Sequence, residues 1–180
     1  MIEKSEKTDM VVIFSALFLS LVLGMIVGFN MKLVYELNTF KQYSWENPPN
    51  IVNCYGKEFS EQSIKRAMTY WTRKGEKFGF YEHRPPKNLC DKKYIPGFII
   101  LKKVKKRDVH INETALAATI RQTSFLNIIS SIIYYKEENY KLHLLNEHEL
   151  GHALGYAHVK KAGHIMHPSF SLMGPNFYVP

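Results

Sequence analysis

The chain has 180 residues and a mass of 21.0 kDa, enough for one ordinary domain with a modest extension and too short for two full domains. Apolar residues make up 46% and charged residues 22%, which excludes a wholly disordered or fibrous chain. The formal charge is +8 and unevenly placed: residues 1–30 hold Lys4 and Lys7 against Glu3, Glu6 and Asp9, so the other 150 residues carry 22 basic and 13 acidic groups, a net +9.

Residues 1–10 read as a short polar tail. Residues 11–29 form a run of 19 whose only polar members are Ser15 and Ser20. At about 1.5 Å per helical residue this run spans roughly 28 Å, close to the hydrocarbon thickness of a bilayer. It is longer than the apolar region of a cleavable signal peptide, and no small-x-small cleavage site follows it. An uncleaved single-pass anchor is therefore expected, with secretion after signal cleavage as the alternative. Gly24 and Gly28 have the spacing that lets two membrane helices touch, a basis for weak self-association. Lysines flank the run on both sides and barely choose an orientation. Both cysteines, Cys54 and Cys90, lie beyond it. They form either a disulfide in an exported domain, which would place that domain outside the cytoplasm, or two buried thiols.

Residues 30–50 are polar and aromatic and end in Pro48-Pro49, which reads as a stalk, so the soluble domain is expected over 51–180. Residues 51–55 form a short β-prone run. Ser60 suits a helix N-cap, and Ile64, Ala67, Met68 and Trp71 fall at i, i+3, i+4 and i+7, which predicts an amphipathic helix over 61–74. A strand and loop are expected over 78–91 and strands over 94–104, 115–123 and 127–135. The basic cluster from Lys102 to Arg107 reads either as a solvated loop or as a binder of anionic lipid or nucleic acid; no nucleic-acid fold signature accompanies it, so no nucleic-acid partner is expected. A last helix is expected over 138–154.

That helix carries His148-Glu149-Leu150-Gly151-His152-Ala153-Leu154-Gly155-Tyr156-Ala157-His158. Residues four apart on a helix are neighbours, so His148 and His152 can present two imidazoles to one zinc ion. Glu149 sits one step round, where a carboxylate reaches a zinc-bound water without being a ligand. A straight helix would carry His158 to the wrong face; Gly155 can take positive φ and turn the chain back, making His158 a third ligand. Three histidines leave the fourth tetrahedral position open, which marks a catalytic rather than a structural zinc. In a chain of this composition a bare HExxH arises by chance in roughly 2–3% of shuffles, and the added Gly and His make it far rarer.

The motif resembles the zinc signature of the metzincin metalloproteases, HExxHxxGxxH. Met166 resembles the methionine of their tight turn beneath the zinc. Its distance from His158, and Pro168 two positions on, are similar to the matrixin branch. Pro168 stands where other branches carry a tyrosine that ligates zinc. The resemblance implies an α+β fold: a mixed twisted β-sheet, two long helices above a cleft, and a short irregular C-terminal part, here preceded by a transmembrane helix. The matrixin C-terminal helix is expected to be missing or reduced to residues 169–173. The resemblance also implies one catalytic Zn²⁺ and a substrate edge strand including Ala117, Ala118 and Thr119, which would hold an extended polypeptide by strand addition.

The function expected is a membrane-anchored zinc endopeptidase in which Glu149 assists attack of water on a peptide bond, with a polypeptide or peptide-containing substrate. The alternative is an inactive membrane-tethered binding or assembly protein that keeps the zinc site as a structural staple. His83, His110 and His143 read as surface or packing residues, and His164 and His167 as neighbours of Met166.

Overall fold

The computed structural model describes residues 18–22, 24, 25, 40–104, 111, 114–137 and 139–178. The chain divides into two units, residues 1–39 and 40–180. In the first, residues 18–22, 24 and 25 are helical. Most of the apolar run 11–29 lies outside the described residues, as do the tail 1–10, Gly28, residues 30–39, Lys105–Arg107 and His110. Among the described residues no helix is long and apolar enough to cross a membrane.

The second unit is built on a six-stranded mixed sheet. In chain order its elements are β1 (Ser44–Trp45), β2 (Asn50–Asn53), helix α1 (Glu61–Thr72), β3 (Tyr81–Glu82), a short helix α2 (Lys87–Cys90), β4 (Phe98–Lys103), β5 (Ala117–Ser124), β6 (Asn127–Tyr135) and helix α3 (Leu145–Ala153). The strand order is β1-β6-β4-β2-β3, all parallel pairs, and β5 runs antiparallel along β6. Ile132 pairs with both Ile100 and Ile120, and Ile128 with both Trp45 and Thr123. One edge of β6 is thus taken by β5, and the other is shared by β1 and β4.

The central strands read as unbroken apolar runs because both their faces are covered. Ile51, Ile99, Leu101, Ile133 and Tyr135 point to the side of α1 and α3 and join the main core with Ile64, Ala67, Trp71 and Leu150. Val52, Ile100 and Ile132 point the other way, alternating as strand geometry requires, and pack with Ile95 under the segment that carries α2. A disulfide joins Cys54, just past β2, to Cys90 at the end of α2 and fastens that cover to the sheet. α1 begins where Ser60 Oγ accepts the Ser63 N–H.

Two expectations need correction. The stalk does not reach residue 50. Phe40 is buried, β1 pairs with β6, and the packed unit starts at Phe40 rather than Ile51. The polar and aromatic composition that reads as linker is that of an edge segment whose Trp45 indole N–H donates to the Ala153 carbonyl. Nor is 138–154 one helix. Residues 139–141 make a single 3₁₀ turn, Leu144 lies at φ +65°, and α3 starts only at Leu145. The two principal helices are therefore modest, twelve and nine residues. Beyond the zinc motif the described residues are irregular, with one 3₁₀ turn at Phe170–Leu172.

Candidate metal centre and cleft

α3 is buried along nearly its whole length, Leu145 to Gly151 without a break, so its ionisable side chains enter a dry environment. Gly151 makes this possible: a Cβ there would collide with the Met166 sulfur and the Trp71 ring. The helix ends against side chains that donate to two of its last carbonyls, His152 O accepting the Gly155 N–H as well. Trp45 Nε1–H donates to Ala153 O at 2.9 Å, and an Arg121 N–H donates to His152 O at 2.5 Å. Gly155 then turns the chain at φ +104°, with its backbone pressed against the Tyr43 carbonyl. The segment entering β1 holds this turn in place, Gln42 N–H donating to Gly155 O at 3.0 Å and Ala157 N–H to Phe40 O at 2.8 Å.

The turn brings His158 back. His152 Nε2 lies 3.1 Å from His148 Nε2 and 3.0 Å from His158 Nε2. Nitrogens bound tetrahedrally to zinc at 2.0–2.1 Å stand ~3.3 Å apart, so the cluster has the size such an ion requires. His148 Nδ1 sits 2.8 Å from Ile165 O and His152 Nδ1 2.9 Å from Tyr156 O. A carbonyl accepts, so these two Nδ1 atoms carry the protons and the Nε2 lone pairs converge. Burial holds His148 down to about 4 and His152 well below the usual imidazole range; burial and then the neighbouring His167 lower His158. Each of these shifts favours the neutral imidazole, the form that ligates metal.

Glu149 lies beside this cluster. Burial pushes its carboxyl up to about 7, partly offset by the Thr119 hydroxyl, which donates to Oε2 at 2.6 Å. Thr119 comes from β5, thirty residues earlier. The cluster opens into a cleft of ≈ 770 Å³ between β5, α3 and the segment after Met166. Ala117, Ala118 and Thr119 line one wall, and Pro168, Ser169 and Phe170 another.

Met166 is fully buried against Gly151. Its turn supplies the Ile165 carbonyl that orients His148, and Met166 O accepts Val159 N–H at 2.9 Å, tying the turn to the residue after His158. His164 accepts the Met166 N–H on Nδ1 and faces Tyr178 O with Nε2, so it braces the turn and does not line the cleft. His167 does line it, its Nδ1 taking the Ser169 N–H. The sequence pattern does not reveal the pairing of Thr119 with Glu149 or the helix-capping role of Arg121. Their only sign is that Ala117, Thr119 and Arg121 share one face of a strand.

The mixed sheet, its helices and the three-imidazole cluster fit the metzincin class of zinc metallopeptidases. The chain belongs to the matrixin family, whose model matches residues 43–179, nearly the whole packed unit. Matrixins use zinc, and the three-histidine cluster fits a zinc site. The family as a whole points to zinc metalloendopeptidase chemistry on peptide substrates. No curated protein matches the sequence.

Proposed function

We propose that this chain is a membrane-anchored zinc endopeptidase that cleaves polypeptide outside the cytoplasm. The observation that carries the enzymatic reading is the buried Glu149 carboxylate, held by Thr119 at the mouth of the three-imidazole cluster and open to the cleft. A purely structural zinc site has no use for that carboxylate. His148, His152 and His158 would hold the ion, which when bound acidifies water and polarises the scissile carbonyl. Glu149 accepts the proton of the attacking water and passes it to the leaving amine. Its burial makes it a stronger base than an exposed carboxylate, so it takes the proton of water more readily. β5 pairs only with β6 among the described strands, so its outer edge at Ala117–Thr119 is available to hold an extended peptide by backbone hydrogen bonds.

The location rests on two features. Residues 11–29 are long and apolar enough for one membrane crossing. The Cys54–Cys90 disulfide suits an oxidising compartment. The test is the full chain in detergent or lipid, incubated with a mixed peptide library with and without a zinc chelator. Chelator-sensitive internal cleavage is expected. A Glu149→Gln chain should retain one zinc by elemental analysis yet lose turnover by about 10²-fold or more. Zinc retention with no cleavage by the unaltered chain would instead identify a binding protein with a structural zinc.

A further inference from the structure

β5 and β6 are joined by the two residues Phe125 and Leu126, which are 98% and 70% exposed. Phe125 stands at φ +52°, a backbone region that bulky side chains avoid and that glycine or asparagine fills at little cost. Strain of this kind at an exposed aromatic points to a use for the side chain. The ladder is also irregular between Gln122 and Thr123, a shift that bends a hairpin and re-aims its end.

We propose that this hairpin tip dips into the surface of the bilayer that carries the chain, an inference that rests on the membrane-anchored reading. The flanking residues Gln122, Thr123, Ser124 and Asn127 are polar but uncharged, and residues 114–136 contain no acidic side chain, only Arg121 and Lys136. Nothing on the hairpin is repelled by anionic headgroups. The tip also lies beside the first strand of the packed unit. Ser44 N–H donates to Leu126 O at 3.0 Å, and Ser44 pairs with Asn127. Ser44 is four residues from Phe40, where the packed unit begins, a reach of at most ~14 Å. Two side chains on a turn are far too small for the ~800 Å² per partner of a stable protein interface. They suit insertion as a wedge among headgroups, where each apolar side chain removed from water adds directly to binding. The cleft would then be held at one orientation to the membrane.

The test uses the full chain reconstituted in vesicles of phosphatidylcholine and phosphatidylserine. Cys54 and Cys90 are paired and no other cysteine exists, so Phe125→Cys introduces the one thiol that takes an environment-sensitive fluorophore. Lys103→Cys is the comparison site, at the far end of the sheet opposite Tyr135, ~26 Å along β6 from Asn127. The expected result is blue-shifted emission at position 125, quenched several-fold by lipid-borne quenchers, with position 103 aqueous. Aqueous emission at both sites overturns the proposal, as does a blue shift that lipid-borne quenchers do not touch, which would mean contact with protein. Carbonate extraction of the same vesicles tests the anchor separately. A chain that resists extraction but shows an aqueous tip keeps the anchor and loses this inference. A chain that is extracted, yet still shifts and is quenched when vesicles are added back, keeps the tip and loses the anchor.

Discussion

Glu149 can take a proton only from an oxygen aimed at the cleft, and Thr119 decides which oxygen that is. Its hydroxyl occupies Oε2 at 2.6 Å, and its Oγ1 also lies 3.1 Å from the Glu149 backbone carbonyl, so the carboxylate is fixed relative to its own helix. This makes Thr119 a positioning residue and gives a clean experiment. Thr119→Val keeps the shape and removes the hydroxyl. It should lower kcat by about tenfold, the size expected for losing one hydrogen bond to a charged group, with KM and zinc content little changed. Thr119→Ser restores the hydroxyl and should restore most of kcat. If valine and serine variants fell equally, the methyl packing of Thr119 would be what matters. An unchanged valine variant would remove Thr119 from the machinery altogether.

The zinc motif depends on the end of α3 more than on its middle. Three groups from elsewhere in the chain meet there: Trp45 on Ala153 O, Arg121 on His152 O, and residues 40–43 alongside the Gly155 turn. Gly155→Ala faults this junction twice, since φ is +104° and the new Cβ would strike the Tyr43 carbonyl. A loss of about 2 kcal/mol or more is expected by chemical denaturation, with weaker zinc retention against a competing chelator because His158 follows directly. Stability loss with unaltered zinc affinity would show that His158 finds the metal without this turn. Much of this architecture is legible in the sequence: β6 falls at the expected residues 127–135, and the HExxHxxGxxH spacing brings three imidazoles to one point. The elements that escape are those that local pattern cannot encode. β1 has two residues and no periodicity, and its place comes from partners eighty and more residues away. The start of α3 is hidden because the helix buries its polar residues Asn146 to Glu149 along with its apolar ones, so no amphipathic spacing marks Leu144 as the break. Thr119 and Glu149 meet only because β5 and α3 pack together.

Across the whole packed unit, the two faces of the sheet carry different duties. The face under α1 and α3 holds most of the core and the metal centre. The opposite face is thin: Val52, Ile95, Ile100 and Ile132 with a few partly buried neighbours, covered by a segment whose only regular element is the four-residue α2. So small a cluster supplies little burial energy to hold its cover, and the Cys54–Cys90 link ties it to the end of β2 across a sequence separation of 36 residues that includes α1 and β3. Restricting a loop of that length in the unfolded chain stabilises the fold by about 3–4 kcal/mol in the chain-entropy account. A Cys54→Ser/Cys90→Ser chain should therefore lose about that much in chemical denaturation, while adding reductant to the unaltered chain should produce a similar loss. The metal centre lies on the other face, so zinc content and kcat of the fraction that remains folded should stay close to those of the unaltered chain. Loss of zinc in step with the disulfide would show that the two faces are coupled through β2 and β4. Equal stability with and without the link would show that the apolar contacts alone hold the cover.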